Sequence, residues 1–367
     1  MTYTDIDLQE WNDFVSNSPW SDILQYWQWG EVKKLEGWEC GFATSNDKKV
    51  RSMYLIKNIP LLGNYLYIPH GPVFHNVEDL AASITSWKQN IVKVAQERRC
   101  FAVEIDPKIG SLAEDSNLTD LQKKNLENLS HFFDKSIINI FVDAGFRNTK
   151  RNMQPVYKLL YSLKLTSDEL LGLMSKSTRY NIRYAEKHGV EVKEYFPDDQ
   201  DIDNKIREFY ELLEVTQKRT GGYPIRSYSV FQKLFEVFKG TRDISMFEVS
   251  FQGDIIAFNI SQRTKCWSSS FYASSNRLHP KMKAPYLLRW ASINRAKESG
   301  SGIYDFWGII PYSKKHKGYS DHKLSFGGAR IDHVGIMQLP INKLKTRMFN
   351  NILPLRAKLA KLKRNIF

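Results

Sequence analysis

The chain has 367 residues, 42% apolar and 13% aromatic, with three cysteines and a formal net charge of +13. That length exceeds what one hydrophobic core normally fills, so two domains are expected, and the apolar content excludes a disordered chain. The excess of Lys and Arg points to nucleic acid, phosphorylated sugar or anionic lipid as company, unless it is only a solvated basic surface.

Cys40, Cys100 and Cys266 form no CxxC pair and sit in apolar, strand-like runs, which predicts buried free thiols and a reducing compartment. Met1 to Trp20 is polar and acidic, unlike a signal peptide, and no apolar run approaches the roughly 18 residues of a membrane span. A cytoplasmic location is expected.

Residues 5–36 read as two helices separated by Pro19, the second capped by Asp22 and carrying Lys33 and Lys34 in its last turn, where cations suit the helix dipole. A hairpin pairs Cys40–Thr44 with Arg51–Lys57. Strand Tyr65–Pro69, helix Val77–Arg98 and a buried strand Phe101–Ile105, ended by Asp106-Pro107, complete an α+β layout. The segment 110–152 is polar, with helical stretches and a turn at Asp143–Phe146.

Gln154–Leu163 restarts as a strand and marks the passage into a second domain. Leu165–Lys176 is a helix capped by Thr166 or Ser167, and Thr178–His188 a very basic one stopped by Gly189. Strand Val190–Tyr195, helix Asp201–Arg219, a Gly221-Gly222 turn, helix Ser227–Lys239 and strand Ser245–Ser250 follow. Strands Ile255–Ser261 and Cys266–Ala273, a basic loop over 276–283, helix Pro285–Glu298 and strand Ile303–Phe306 come next. A polar loop then leads to His322-Lys323-Leu324-Ser325-Phe326-Gly327-Gly328. Strand Arg330–Met337 and a basic tail close the chain. In the tail, cations alternate with apolar residues as in an amphipathic helix broken at Pro354, packed on the first domain or laid against membrane or RNA. Trp27, Trp29 and Trp290 are expected in the core.

Strand, strand, basic loop, helix and strand after residue 255 is the second half of an N-acetyltransferase-type fold. Both halves repeat the order helices, antiparallel strands, helix, strand, which reads as a tandem duplication. The expected class is α+β: two such domains, each a mixed sheet flanked by helices. Domain 1 would span 1–152, completed by 332–367, and domain 2 would span 153–331.

No GxSxG elbow, HExxH, P-loop or GxGxxG is present, and the histidines pair with no cysteine at ligand spacing, so neither metal nor cofactor is expected. An acyl-CoA enzyme of this fold holds the pyrophosphate on amides of a glycine-rich loop. The loop 276–283 has no glycine; Arg277, His279, Lys281 and Lys283 offer side-chain cations instead, or are merely solvated.

Several runs resemble the Fem family of peptidoglycan-bridge aminoacyltransferases, without its coiled-coil arm. They are Gln25-Tyr26-Trp27-Gln28-Trp29-Gly30-Glu31-Val32-Lys33, Tyr67-Ile68-Pro69-His70-Gly71-Pro72-Val73, Glu104-Ile105-Asp106-Pro107 and Thr178-Arg179-Tyr180-Asn181-Ile182-Arg183. Tyr272-Ala273-Ser274, Leu288-Arg289-Trp290, Tyr304-Asp305-Phe306-Trp307-Gly308 and Lys323-x-x-Phe326-Gly327-Gly328 continue the match over nearly the whole chain. It is their order that makes the match specific.

The resemblance implies a monomer that takes an amino acid from aminoacyl-tRNA and adds it to the stem peptide of a nucleotide-linked or lipid-linked cell-wall precursor. Lys323 would steady the tetrahedral oxyanion and His322 would contact the substrate, although His322 and Ser325 replace the phenylalanine and first glycine usual in that loop. Lys33 would contact the precursor's phosphates. Arg226 matches a phosphate-binding arginine, with Tyr223 standing in for a tyrosine expected where Val230 is found. Tyr272 faces the acceptor or the core, and Asp106 orients the amine or simply ends its strand. Arg277, Lys281, Lys283, Arg179 and Arg183 are candidates for tRNA phosphates. The basic tail favours work at the inner membrane face. Two other classes stay open: an acyl-CoA-dependent N-acyltransferase acting on a sugar or polysaccharide precursor, and a non-catalytic basic protein that binds RNA or membrane.

Overall fold

A computed structural model describes residues 5–113, 118–130, 134–149, 151–313 and 317–352. The Asp7 carboxylate caps α1 (Leu8–Ser16). The single helix expected after Asp22 is instead a 3₁₀ turn, Ile23–Gln25, followed by α2 (Trp27–Lys34). Asp22 accepts from the Leu24 amide and so caps the turn, while Tyr26 is extended and interrupts the helical path.

Strands β1 (Glu39–Thr44), β2 (Val50–Ile59) and β3 (Gly63–Pro69) form an antiparallel meander, and β4 (Val73–Phe74) pairs with β2. Helix α3 (Leu80–Glu97) buries Ile84, Trp87 and Ile91, one stripe at helical spacing. It returns the chain to β5 (Cys100–Asp106), parallel to β3 and buried at every residue. Two short strands, β6 (Gly110–Leu112) and β7 (Arg147–Asn148), and the helices α4 (Asp120–Glu127) and α5 (Lys135–Asp143) occupy the polar segment.

After β8 (Tyr157–Ser162), a Thr166–Glu169 capping box starts α6 (Ser167–Leu173), and Ser175 caps α7 (Lys176–Lys187). Then come β9 (Glu191–Tyr195), α8 (Ile202–Arg219), α9 (Tyr228–Val237), β10 (Ile244–Phe251), β11 (Asp254–Arg263), β12 (Trp267–Ser275), α10 (Ala284–Glu298) and β13 (Ile303–Gly308), in the expected order. His322 and Lys323, expected on a loop, lie on a helix, α11 (Lys317–Leu324). The expected strand 330–337 is two strands, β14 (Ala329–His333) and β15 (Met337–Pro340), which belong to different sheets. An apolar run reports burial but not a change of sheet.

The first sheet runs β1-β2-β3-β5-β15-β7, and the second β6-β14-β8-β13-β12-β11-β10-β9. Each holds a meander (β1-β2-β3, β10-β11-β12), then a parallel strand reached through a helix (β5 through α3, β13 through α10), then an antiparallel neighbour (β15, β8). This is the α+β, tandem N-acetyltransferase-like arrangement of two mixed sheets flanked by helices. Segments are exchanged between the sheets: β6 and α4 pack with the second, β15 with the first.

The core crosses the junction. Tyr26, Trp29, Phe42 and Tyr67 share one apolar cluster with Phe209, Phe231, Phe258 and Phe271. Apolar burial on that scale holds the two modules in one relation. Trp290 is buried and Trp27 only half-buried; Cys100 is buried, whereas Cys40 and Cys266 are half-buried, all three as free thiols. In the helical stretch 343–352, Phe349 packs on Tyr65 and Phe101 of the first sheet at 5.4 and 5.1 Å. The rest of the basic tail, with its expected break at Pro354, lies outside the described residues. No described helix is long and apolar enough to cross a membrane.

Candidate active site

Helices α8, α10 and α11 and the ends of β11 and β12 enclose a cavity of about 730 Å³. Arg219, Arg277, Arg289 and Lys323 line it, and no carboxylate is among its described lining residues. Arg219 is tied to Ser275 O at 2.7 Å. Arg289 donates to the Tyr304 hydroxyl at 3.2 Å, while its buried Nε has no partner among the described residues. An unmatched donor in a cationic wall is a place for an anionic ligand.

Lys323 is 3% exposed. Its Nζ donates to Phe306 O at 2.7 Å, Gly308 O at 2.8 Å and the Tyr319 hydroxyl at 2.5 Å, so all three donors of an ammonium are engaged. Burial, with Arg289 adding to it, pushes this ammonium well below the usual lysine range. The neighbouring His322 ring stands edge-on to Tyr286 and Phe326 at 4.6 and 5.5 Å. Burial, Arg289 and Lys323 push its imidazole down to about 3. The turn below α11 requires glycine: Gly327 has φ +81°, and a Cβ there would stand 2.1 Å from Leu173 O.

A second cationic group sits where the modules meet. Glu36, just past α2, pairs with both Lys33 and Arg226. Arg226 Nε donates to the Tyr272 hydroxyl at 2.7 Å, and Lys33 lies 5.8 and 5.3 Å from the Trp29 and Trp38 rings. Burial and Arg226 push the Lys33 ammonium down, and burial pushes the Tyr272 phenol up. Burial opposes the charge on Glu36, but Lys33 and Arg226 hold its carboxyl below the usual range.

A buried polar network connects the two groups. Lys158 donates to Asp305 at 2.9 Å, Lys108 to Asp22 at 3.3 Å, and the Tyr67 hydroxyl to Asp106 at 3.2 Å; His70 Nδ1 lies 2.9 Å from Asp22. Burial raises the Asp106 carboxyl, lowers the His70 imidazole, and takes the Lys108 ammonium down to about 8. Trp307 ties this network to the junction, with its ring 5.7 Å from His70 and 5.2 Å from Phe271. Asp305 leads directly into Phe306, whose carbonyl receives Lys323.

Several expected site residues are thus brought together: Lys323, His322 and Arg277 at the cavity, and Lys33, Arg226 and Tyr272 around Glu36. Others stand apart. The hydroxyl beside Arg226 comes from Tyr272, Val230 is core, and Tyr223 is exposed with its carbonyl accepting from Gln217. Arg179 is spent on the last carbonyls of α6, Leu171 O and Met174 O, at 3.2 and 2.5 Å, while Arg183 is exposed on α7. Lys281 and Lys283 are outside the cavity lining. Glu36, Arg219 and Tyr319 were not singled out, and Arg289 entered only within the Leu288-Arg289-Trp290 run, because in a helical or polar stretch such residues look like a solvated face. The spacing of Glu36 three residues after Lys33 was the one available signal.

Two mixed sheets of one plan, sharing a core, define the tandem N-acetyltransferase-like class. Within it, the chain belongs to the FemAB family, whose model matches residues 6–265 and 255–353. The lipid II:glycine glycyltransferase of Staphylococcus aureus (strain MRSA252) is 29% identical over 249 residues, 66% of this chain and 53% of that protein. The chain therefore spans about half the length of the curated relatives it matches. The crystal structure of FemX superposes with a TM-score of 0.79 at 18% identity, covering 94% of this chain and 98% of that one. L-PGS from Bacillus licheniformis gives 0.50 at 12% identity, covering 87% and 88%. At those identities the likeness to the solved structures is one of fold.

Proposed function

We propose that the protein is an aminoacyltransferase that joins an amino acid from aminoacyl-tRNA to the amine of a peptidoglycan precursor's stem peptide, working at the cytoplasmic face of the membrane. The observation that carries this reading is the pair of cationic groups, the cavity of Arg219, Arg277, Arg289 and Lys323 and the junction of Lys33 and Arg226, joined through Trp307 and Asp305. Two anionic substrates have to meet, and the two cationic groups offer one site for each. The likeness to the lipid II:glycine glycyltransferase of Staphylococcus aureus supports the same class of acceptor.

In this reading the donor's 3′ end enters the cavity and the precursor's phosphates compete with Glu36 for Lys33 and Arg226. The amine attacks the ester carbonyl, a tetrahedral oxyanion forms, and the ribose hydroxyl leaves as the peptide bond closes. Lys323 exchanges its bond to Tyr319 for one to the oxyanion; a well-placed donor of this kind contributes about 3–4 kcal/mol. Asp106, held by Tyr67, orients the amine and receives its proton, a role that a raised carboxyl suits. The coenzyme A alternative is disfavoured by the first turn of α10, where Pro285 removes an amide from the place a pyrophosphate would need one.

The test is incubation with mixed charged tRNAs and either a nucleotide-linked or a lipid-linked precursor, read by mass spectrometry. The expected product gains one or more aminoacyl residues. No gain with either acceptor, or an acyl gain from acyl-CoA alone, would overturn the reading.

A further inference from the structure

Helix α7 presents to solvent a face that the proposed reaction does not use. Thr178, Ile182 and Ala185 turn inward. On the opposite side Tyr180, Tyr184 and His188 form a row: the Tyr180 ring is tilted against Tyr184 at 5.9 Å, and Tyr184 stacks on His188 at 3.9 Å. Tyr180 is 63% exposed. Lys176, Arg183 and Lys187 are also exposed, and helical spacing places them on the same side as the row. Glu186, the helix's one carboxylate, falls on the flank.

The place of this row matters as much as its composition. The Ser175 amide and the Thr178 hydroxyl bind Ser325 O at 2.9 and 3.0 Å, so the row begins beside the loop that follows Lys323. The body of α7 packs against α10, which carries Arg289. Tyrosines four residues apart stabilise a helix by only a few tenths of a kcal/mol. That is a small return for leaving a phenol ring 63% exposed.

Planar rings in line with cations suit a chain that alternates flat bases with phosphates. A lipid surface fits less well, because the face has no leucine, isoleucine or phenylalanine to enter an acyl layer. We propose that this face of α7 is the docking surface for the RNA donor: the terminal nucleotide enters the cavity, the unpaired bases that precede it lie on Tyr180, Tyr184 and His188, and Arg183 and Lys187 take the phosphates. The proposal rests on the aminoacyl-tRNA reading and adds where the RNA lies.

The experiment measures binding of unfractionated deacylated tRNA to the full chain at several salt concentrations. Tyr180→Ala/Tyr184→Ala is expected to weaken binding about tenfold or more, with an unchanged salt slope, while Tyr180→Phe/Tyr184→Phe binds like the wild type. Arg183→Ala/Lys187→Ala is expected to lower the salt slope by about 1 to 2. Unchanged thermal melting checks that each variant is folded. Wild-type affinity in the Ala pair would overturn the proposal. So would intact tRNA binding together with lost sedimentation on phosphatidylglycerol vesicles, which assigns the face to lipid. The two failures are separable: transfer from charged tRNA that the Ala pair leaves unchanged sinks only the docking surface, whereas a wild type that neither binds nor uses tRNA sinks the donor assignment too.

Discussion

Arg226 donates through Nε to the Tyr272 phenol at 2.7 Å and with the rest of its guanidinium grips Glu36. One side chain thereby joins the loop before α9, the central strand of the second sheet and the end of α2 in the first module. A lysine has neither the planar fork nor the reach to keep both bonds.

Arg226→Lys is accordingly expected to raise KM for the precursor by roughly tenfold or more, the loss of one charge-assisted bond, with kcat nearly kept. Steady-state kinetics with varied precursor at saturating donor check this. A drop in kcat at unchanged KM would place Arg226 at the reacting atoms instead.

Lys323→Met is expected to cost about 10² to 10³ in kcat, the usual loss of a donor to a developing oxyanion. Arginine at this position should not rescue it, because Phe306 O, Gly308 O and the Tyr319 hydroxyl frame a single nitrogen. Single-turnover transfer from charged tRNA is the measurement; full activity in a folded Met variant would remove the assignment.

His322 makes acid stability measurable. Its folded value, about 3, lies below the unfolded one of roughly 6.5, so its contribution is complete above pH 6.5 and is lost as pH falls towards 3. His322→Gln should reduce the slope of stability against pH by up to about 1.4 kcal/mol per unit in that window and leave it unchanged above. Denaturant titrations from pH 4 to 8 read this directly.

Lys158 and Asp305 are 0% exposed and 2.9 Å apart, and Asp305 also accepts from the Trp307 amide at 2.7 Å. Lys158→Met strands a buried carboxylate and is expected to cost about 3–5 kcal/mol. Adding Asp305→Leu should recover part of that loss. Chemical denaturation of the single and double variants decides, and equal stability of the two would deny the coupling.

Gly327→Ala is expected to destabilise by at least about 2 kcal/mol, because φ +81° is strained for alanine and the new methyl meets Leu173 O. The melting temperature should fall, with transfer activity falling further than stability alone explains, since α11 hangs from this turn.

What the sequence determined by itself was the set of local elements and their repeat. Apolar spacing placed α3, α8 and α10, a cap at Thr166 or Ser167 started the next helix, and the order of short runs carried the family resemblance. Such signals are local: they depend on residues within one or two turns of each other. Only the tertiary structure decided the rest. The run after Gly328 changes sheets because β15 finds its hydrogen bonds on β5, and Glu36 matters because Arg226, 190 positions away, folds onto it. The engaged state of Lys323 and the unmatched Nε of Arg289 follow from burial and partner geometry, quantities that belong to the packed molecule and leave no mark in the order of its residues.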